Sequence, residues 1–98
     1  MSDLPVFFAG LAEEDIDQIE DYIASRDPAA ASRVRIAIVQ QAIRLGKIRK
    51  PASERQIGVR LWPVPRYRNY MILYRIEPTQ IRVLRILHGA QNWTRFFK

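Results

Sequence analysis

The side chains of this sequence that could do chemistry are mainly cationic, and they gather in its second half. Residues 81–88 read Ile-Arg-Val-Leu-Arg-Ile-Leu-His, so branched apolar residues alternate with arginines up to the only histidine, His88. That alternation is typical of a β-strand, whose successive side chains point to opposite faces. The other cations of interest are strand arginines and loop bases, namely Arg60, Arg75, Arg82, Arg85, Lys47, Arg49, Lys50 and Arg55.

One chemistry that such a set could perform is RNA cleavage without a metal. In that reaction a base takes the proton of a 2′-hydroxyl, cations stabilise the phosphorane, and an acid protonates the leaving oxygen. His88 could be the base or the acid, and Arg60 or Arg85 could hold the phosphate. The second acid–base role has no obvious occupant, because Tyr67 or Tyr70 would need a displaced pKa or a close partner.

The same side chains suit the recognition of another protein, in which arginines and aromatic residues often contribute most of the binding energy. A short tail after Gly89 carries Trp93 and Phe97 and is expected to form a helical turn. Structural roles are equally open: His88 as a strand-end residue bonded to backbone, and Trp93 with Phe97 as a cap on the core.

Composition excludes several classes of protein. The chain has no cysteine, so it has neither disulfides nor a cysteine nucleophile. A zinc site around one histidine would need a carboxylate cluster that the sequence lacks, and we expect no metal and no cofactor. The opening residues lack the basic n-region and long apolar h-region expected of a signal peptide, and no apolar run approaches the roughly 20 residues that cross a bilayer. We therefore expect a cytoplasmic protein without membrane contact.

Charge is segregated along the chain. Residues 1–21 hold seven acids and no base, whereas residues 22–98 hold sixteen bases and three acids, which leaves the formal net charge of +6. Arginine outnumbers lysine thirteen to three, and its planar fork suits phosphate and carboxylate groups. This asymmetry favours an acidic partner, either a protein or a nucleic acid, over a solvated surface that is merely rich in arginine.

The elements that must position these side chains are a strand, two helices and three further strands. From this order we predict one α+β domain, in which an N-terminal strand and an α-helical hairpin accompany a mainly antiparallel three- to four-stranded sheet. In the first helix Glu13, Glu14, Asp15 and Asp17 are expected to form a solvated face. The helices are predicted at 11–25 and 28–45, with Gly46 as the stop of the second. The strands are predicted at 4–9, 57–62 (ended by Pro63 and Pro65), 67–77 and 81–88.

The second helix has more apolar surface than one packing face requires. Val34, Ile38, Ala42 and Leu45 form one stripe at helical spacing. Ile36, Val39 and Ile43 form a second stripe roughly 100 degrees or more around the axis. The second stripe could pack on the first helix, or part of it could form a groove for a partner helix.

Several segments also resemble one known family. The segments are A-x-x-D-I-x-x-I-x-x-Y-I at 12–23, D-P-x-A-A-x-R-V at 27–34, V-R-L at 59–61, Y-x-I-x-Y-R-I at 70–76 and I-x-V-L-R-I-L-H-G at 81–89. Their order and spacing are similar to those of the ParE toxins, which belong to the RelE/ParE superfamily of bacterial type II toxin–antitoxin systems. One departure is Pro51-Ala52-Ser53-Glu54-Arg55-Gln56, where many members have a proline followed by a Gly-Arg pair.

The resemblance implies a toxin that is neutralised by a cognate ParD-like antitoxin in a hetero-oligomer. ParE-like members act on DNA gyrase, whereas RelE-like relatives cut messenger RNA on the ribosome. We expect a non-enzymatic gyrase inhibitor that uses Arg60, Arg85, His88 and Trp93 on its target and Ile36, Val39 and Ile43 on its antitoxin. The alternatives are a ribosome-dependent endoribonuclease that uses His88, Arg85 and Arg60, and a stand-alone RNA-binding domain.

Overall fold

A computed structural model describes residues 3–48 and 58–89, apart from the side chain of Ile48. The elements are β1 (Val6–Phe8), α1 (Gly10–Ala24), α2 (Pro28–Ile48), β2 (Val59–Val64), β3 (Tyr67–Ile76) and β4 (Ile81–His88). Their order is the predicted one. Trp93 and Phe97, the tail that contains them, and the loop bases Arg49, Lys50 and Arg55 lie outside the described residues.

The strands form one sheet in the order β1-β4-β3-β2. β3 pairs antiparallel with both β2 and β4, and β1 pairs parallel with β4, where Val6 lies opposite Ile81. The parallel pair follows from the chain path, because the helical hairpin and two strands intervene before the chain returns beside β1. This mixed, mainly antiparallel sheet with its helical hairpin confirms the predicted α+β class.

The core lies between the helical hairpin and one face of the sheet. Ile72 and Tyr74 of β3 and Val83 of β4 face it, and each is completely buried. The predicted inner stripe of α2 is confirmed, since its members are at most 4% exposed, namely Val34, Ile38, Ala42 and Leu45. Burial of these apolar side chains is the main force that holds the hairpin to the sheet.

The start of α2 was predicted correctly, but its end was not. Asp27 accepts a hydrogen bond from the Ala30 N–H at 3.1 Å, and Pro28 is the first helical residue, as an N-cap followed by proline predicts. Gly46 does not stop the helix, which continues to Ile48. It is instead a point of close approach, because a β-carbon there would collide with the backbone carbonyl oxygen of Leu4.

α1 begins at Gly10, one residue before its predicted start. The predicted end of β2 was wrong. Pro63 does not end β2, because the strand continues to Val64 with Pro63 opposite Met71 and a register shift just after it. β2 is an edge strand, where a residue without an N–H costs no ladder bond. None of the helices described combines the length and apolarity that crossing a membrane requires.

Candidate functional site

His88 lies at the end of β4, packed against the neighbouring strand. It is the sheet partner of Tyr70, and the two rings meet edge to face with centroids 5.4 Å apart and planes inclined at 72°. The ladder closes one residue later, where the Gly89 N–H donates to the Asn69 carbonyl oxygen. The histidine is exposed, and its edge-to-face contact with Tyr70 holds the imidazole at the surface of this strand end.

An open groove of about 320 Å³ lies between this strand end and α1. We call it the His88 groove, and its lining residues are Gln18, Ile19, Tyr22, Tyr70 and His88. Tyr22 is 60% exposed, and the Arg26 guanidinium stacks on its ring at 4.5 Å from the centroid. Partial burial is the main cause that raises the pKa of Tyr70, and the charge of Tyr22 raises it further. The groove thus offers aromatic walls, an imidazole and a nearby cation.

Arg85, three residues before His88, is held by a two-point ion pair. Its Nε donates to Asp15 Oδ2 at 2.7 Å and its Nη2 to Asp15 Oδ1 at 3.0 Å. The Ile86 N–H also donates to Asp15 Oδ2, at 3.0 Å. The hydrogen bond to Asp15 is the main cause that raises the pKa of Arg85, and the negative charge of Asp15 adds to it. Partial burial of the guanidinium acts in the opposite direction. The guanidinium therefore joins α1 to β4 in the free chain.

Strand lengths explain why Asp15 is needed there. β1 pairs with β4 only as far as Val83, so the edge of β4 beyond that residue has no neighbouring strand among the described residues. A backbone N–H at such an edge needs another acceptor when it is shielded from water. Asp15, whose side chain is only 12% exposed, supplies that acceptor.

The prediction that Asp15 belongs to a solvated acidic face was therefore wrong. The sequence did contain a signal, because Asp15 follows buried Ala12 by three residues and precedes Ile19 by four, which places it on the apolar stripe of α1. A carboxylate in that position indicates a partly buried cationic partner. Asp17 is exposed as expected, although it also contacts Arg35 at 2.8 Å.

Arg60 and Arg85 lie on different strands and are not cross-strand partners. Arg60 of β2 lies opposite Tyr74 and Arg85 of β4 lies opposite Leu73, and the β3–β4 ladder shifts register between Leu73 and Tyr74. Tyr74 is four residues from Tyr70, so Arg60 lies about 13 Å along the sheet from the level of His88. The structure therefore does not gather Arg60, Arg85 and His88 around one reacting group.

The predicted second stripe of α2 is partly at the surface. Ile36 is 53% exposed and Ile43 is 49% exposed, whereas Val39 is half-buried and packs against the core. Val39 also lines a cleft beside β1, together with Phe7 and Phe8. Ile36 and Ile43 are seven residues apart, which places them on one side of the helix. This exposed side of α2 is the candidate surface for a protein partner.

Metal chemistry finds no support in residues 3–48 and 58–89. No group of three or more histidine, aspartate or glutamate side chains there is arranged to hold an ion. The site features are therefore aromatic, cationic and apolar, which is the character of a recognition surface.

Comparisons with known proteins agree with this architecture. A family model described as "ParE toxin of type II toxin-antitoxin system, parDE" matches residues 6–93. Ten chains of solved structures match the fold. One, described as "Chromosomal ParDE TA system from P. aeruginosa", is 24% identical, with a TM-score of 0.72 over 87% of this chain and 95% of that chain. No curated protein matches with significance.

Proposed function

This chain belongs to the ParE toxin family of type II toxin–antitoxin systems, and from that premise we propose that it inhibits DNA gyrase by binding it directly. The observation that carries the proposal is the family match over residues 6–93. Toxins of this family are in general not enzymes. The proposed target places the action of the protein in the cytoplasm.

We assign target contact first to the His88 groove. His88 is exposed and Tyr22 is 60% exposed, so an aromatic surface is open to a protein partner beside the cation of Arg26. Arg85 supports this end of the sheet through Asp15 and contributes by holding β4 and α1 in place. Arg60 and Trp93 remain predicted contacts.

We assign antitoxin contact to the exposed side of α2. Ile36 and Ile43 leave about half of each side chain in water, and covering such aliphatic surface would favour a complex. A ParD-like antitoxin that covers it would form a toxin–antitoxin hetero-oligomer. The side chain of Val39 is half-buried, so the antitoxin would contact it through the cleft beside β1.

The endoribonuclease alternative is less well supported by the geometry. His88 would need a second acid–base group and a cation near the same phosphate. The nearest tyrosine is Tyr70, and its raised pKa makes it a poorer base at neutral pH. Arg85 is engaged by Asp15, and Arg60 lies on edge strand β2, about 13 Å along the sheet from the level of His88.

The decisive experiment compares two activities of the purified toxin. We expect inhibition of gyrase supercoiling and no cleavage of ribosome-bound messenger RNA. His88→Ala should raise the toxin concentration for half-inhibition about tenfold, the loss expected for one good interface contact. Thr79→Ala, at an exposed position in the turn at the other end of β4, is the matched control and should change it less than about twofold.

The outcomes separate the two mechanisms. Cleavage of ribosome-bound message with intact supercoiling would establish the endoribonuclease and exclude the gyrase inhibitor. Equal inhibition by His88→Ala and the unmodified toxin would remove His88 from the target surface without affecting family membership.

A further inference from the structure

A second groove, of about 460 Å³, runs between α2 and the turn that joins β2 to β3. We call it the arginine groove, because Arg33 and Arg44 of α2 and Arg66 of the turn all line it. The other lining residues are apolar or uncharged, namely Ile36, Ala37, Gln40, Gln41, Pro65 and Tyr67. It lies apart from the His88 groove and shares none of its residues.

The dimensions of the arginine groove suit a peptide segment. Arg33 and Arg44 are eleven residues apart in α2, a separation of three turns that returns them to nearly the same side of the helix. At 1.5 Å per residue their α-carbons are about 16 Å apart along the axis. That distance matches roughly three turns of a bound helix, or about five residues of a bound strand.

The charge of this groove is uncompensated within the described residues. No carboxylate lines it, and the salt bridges of residues 3–48 and 58–89 belong to other arginines. Arg35 shows the contrast, since it lies on the same helix but contacts Asp17 at 2.8 Å and Glu20 at 2.9 Å. Among the described residues these three arginines have no carboxylate partner, and such a cluster around one groove attracts an anionic ligand.

Arg66 is held in this groove at a conformational cost. Its φ of 71° lies in the left-handed region, where a residue with a β-carbon is disfavoured by about 1–2 kcal/mol. Pro65 before it has φ fixed near −65°, and this pair of φ values is that of a type II turn, which prefers glycine at the second central position. A long cationic side chain therefore occupies a position where glycine would be less strained.

We infer that the arginine groove binds an acidic, partly apolar segment of the antitoxin. The inference rests on the proposed neutralisation by a ParD-like partner and specifies the chemistry of the segment. Carboxylates would pair with Arg33, Arg44 and Arg66, while apolar side chains cover Ile36 and Tyr67. The apolar floor favours a peptide over nucleic acid, because nucleic-acid interfaces are more polar and more uniformly basic.

The test measures the affinity of the full-length toxin for its cognate ParD-like antitoxin. Arg33→Glu with Arg44→Glu should weaken binding about 100-fold and reduce its dependence on salt, because two attractive charges become repulsive. Arg68→Glu with Arg75→Glu makes the same change in net charge at residues outside both grooves. This control should weaken binding less than about threefold, by the long-range field alone.

A second variant separates charge from folding. Arg66→Gly removes the cation and relieves the turn, so it should weaken antitoxin binding about tenfold while the folded state is retained or stabilised. Arg66→Lys keeps a positive charge and should weaken binding less than Arg66→Gly. Circular dichroism checks that each variant is folded.

The outcomes distinguish the inference from the proposed function. If the unmodified toxin does not bind the antitoxin, neutralisation itself is refuted. If it binds and the groove and control pairs weaken it equally, the groove assignment is refuted and neutralisation stands. A 20-nucleotide RNA and a DNA duplex of equal length form the third arm. Groove-dependent binding of either, with antitoxin binding unchanged, would also overturn the inference.

Discussion

Asp15 and Arg85, seventy positions apart in the chain, form a two-point ion pair at 2.7 and 3.0 Å. The same carboxylate accepts the N–H of Ile86, so one side chain of α1 satisfies both a cation and an open strand edge. The pair is mostly shielded, with side-chain exposures of 12% for Asp15 and 26% for Arg85. It fixes the first helix to the strand that ends in His88.

Asp15→Ala should destabilise the protein by about 2 kcal/mol, because it leaves a shielded N–H and a partly buried guanidinium without their acceptor. Asp17→Ala is the matched control. That carboxylate also contacts an arginine but is 66% exposed, so its loss should cost less than about 0.5 kcal/mol. Urea unfolding measures both free energies. Equal losses would show that the Asp15 pair has no special structural role.

Gly46→Ala should destabilise the protein by about 2 kcal/mol or more, because the new methyl group would meet the Leu4 carbonyl and lie 3.0 Å from Val6 Cγ2. Gly10→Ala should instead stabilise it by about 0.5 kcal/mol, since nothing lies within 4 Å of a β-carbon there and alanine loses less backbone entropy on folding. Thermal unfolding should move the two midpoints in opposite directions. A stable Gly46→Ala protein would mean that β1 does not pack on α2 as described.

Ile36→Glu with Ile43→Glu should abolish antitoxin binding at micromolar concentration, because two carboxylates would replace the exposed aliphatic surface of α2. Leu11→Glu is the control, since Leu11 is an aliphatic residue of α1 with a similar exposure of 57%. It should leave the affinity within about threefold of the unmodified value. Co-purification and calorimetry measure the binding. An intact complex with the α2 double variant would place the antitoxin elsewhere.

The raised pKa of Tyr70 predicts a stability that depends on alkaline pH. Burial, followed by the charge of Tyr22, raises this pKa above the ordinary 10.0, so the folded chain keeps the phenol proton at a pH where the unfolded chain loses it. The free energy of unfolding should therefore be intact below about pH 10 and fall as the pH rises through the pKa of the folded state.

Tyr70→Phe should remove this part of the pH dependence while it keeps the ring against His88. Urea unfolding from about pH 8 to about pH 11 would show a shallower decline for the variant than for the unmodified protein. Parallel declines would indicate that Tyr70 ionises equally easily in the folded and unfolded chains.

Local features of this fold could be predicted from the sequence because each depends on near neighbours. Asp27 and Pro28 marked the start of α2, and the stripe that includes Ile38 and Leu45 identified its inner side. The alternation from Ile81 to His88 identified β4 and the position of the only histidine. Errors arose where the role of a residue depends on a contact with a residue that is distant in sequence, as the role of Gly46 depends on Leu4.

For the candidate site, the sequence by itself determined the cation excess, the single histidine at a strand end and the apolar second stripe of α2. Only the tertiary structure decided that Arg85 is bound by Asp15, that Arg60 lies on an edge strand away from His88, and that Arg33, Arg44 and Arg66 share a groove. The physical reason is that periodicity fixes the face of an element within a few residues, whereas strand register and helix packing set which distant side chains meet.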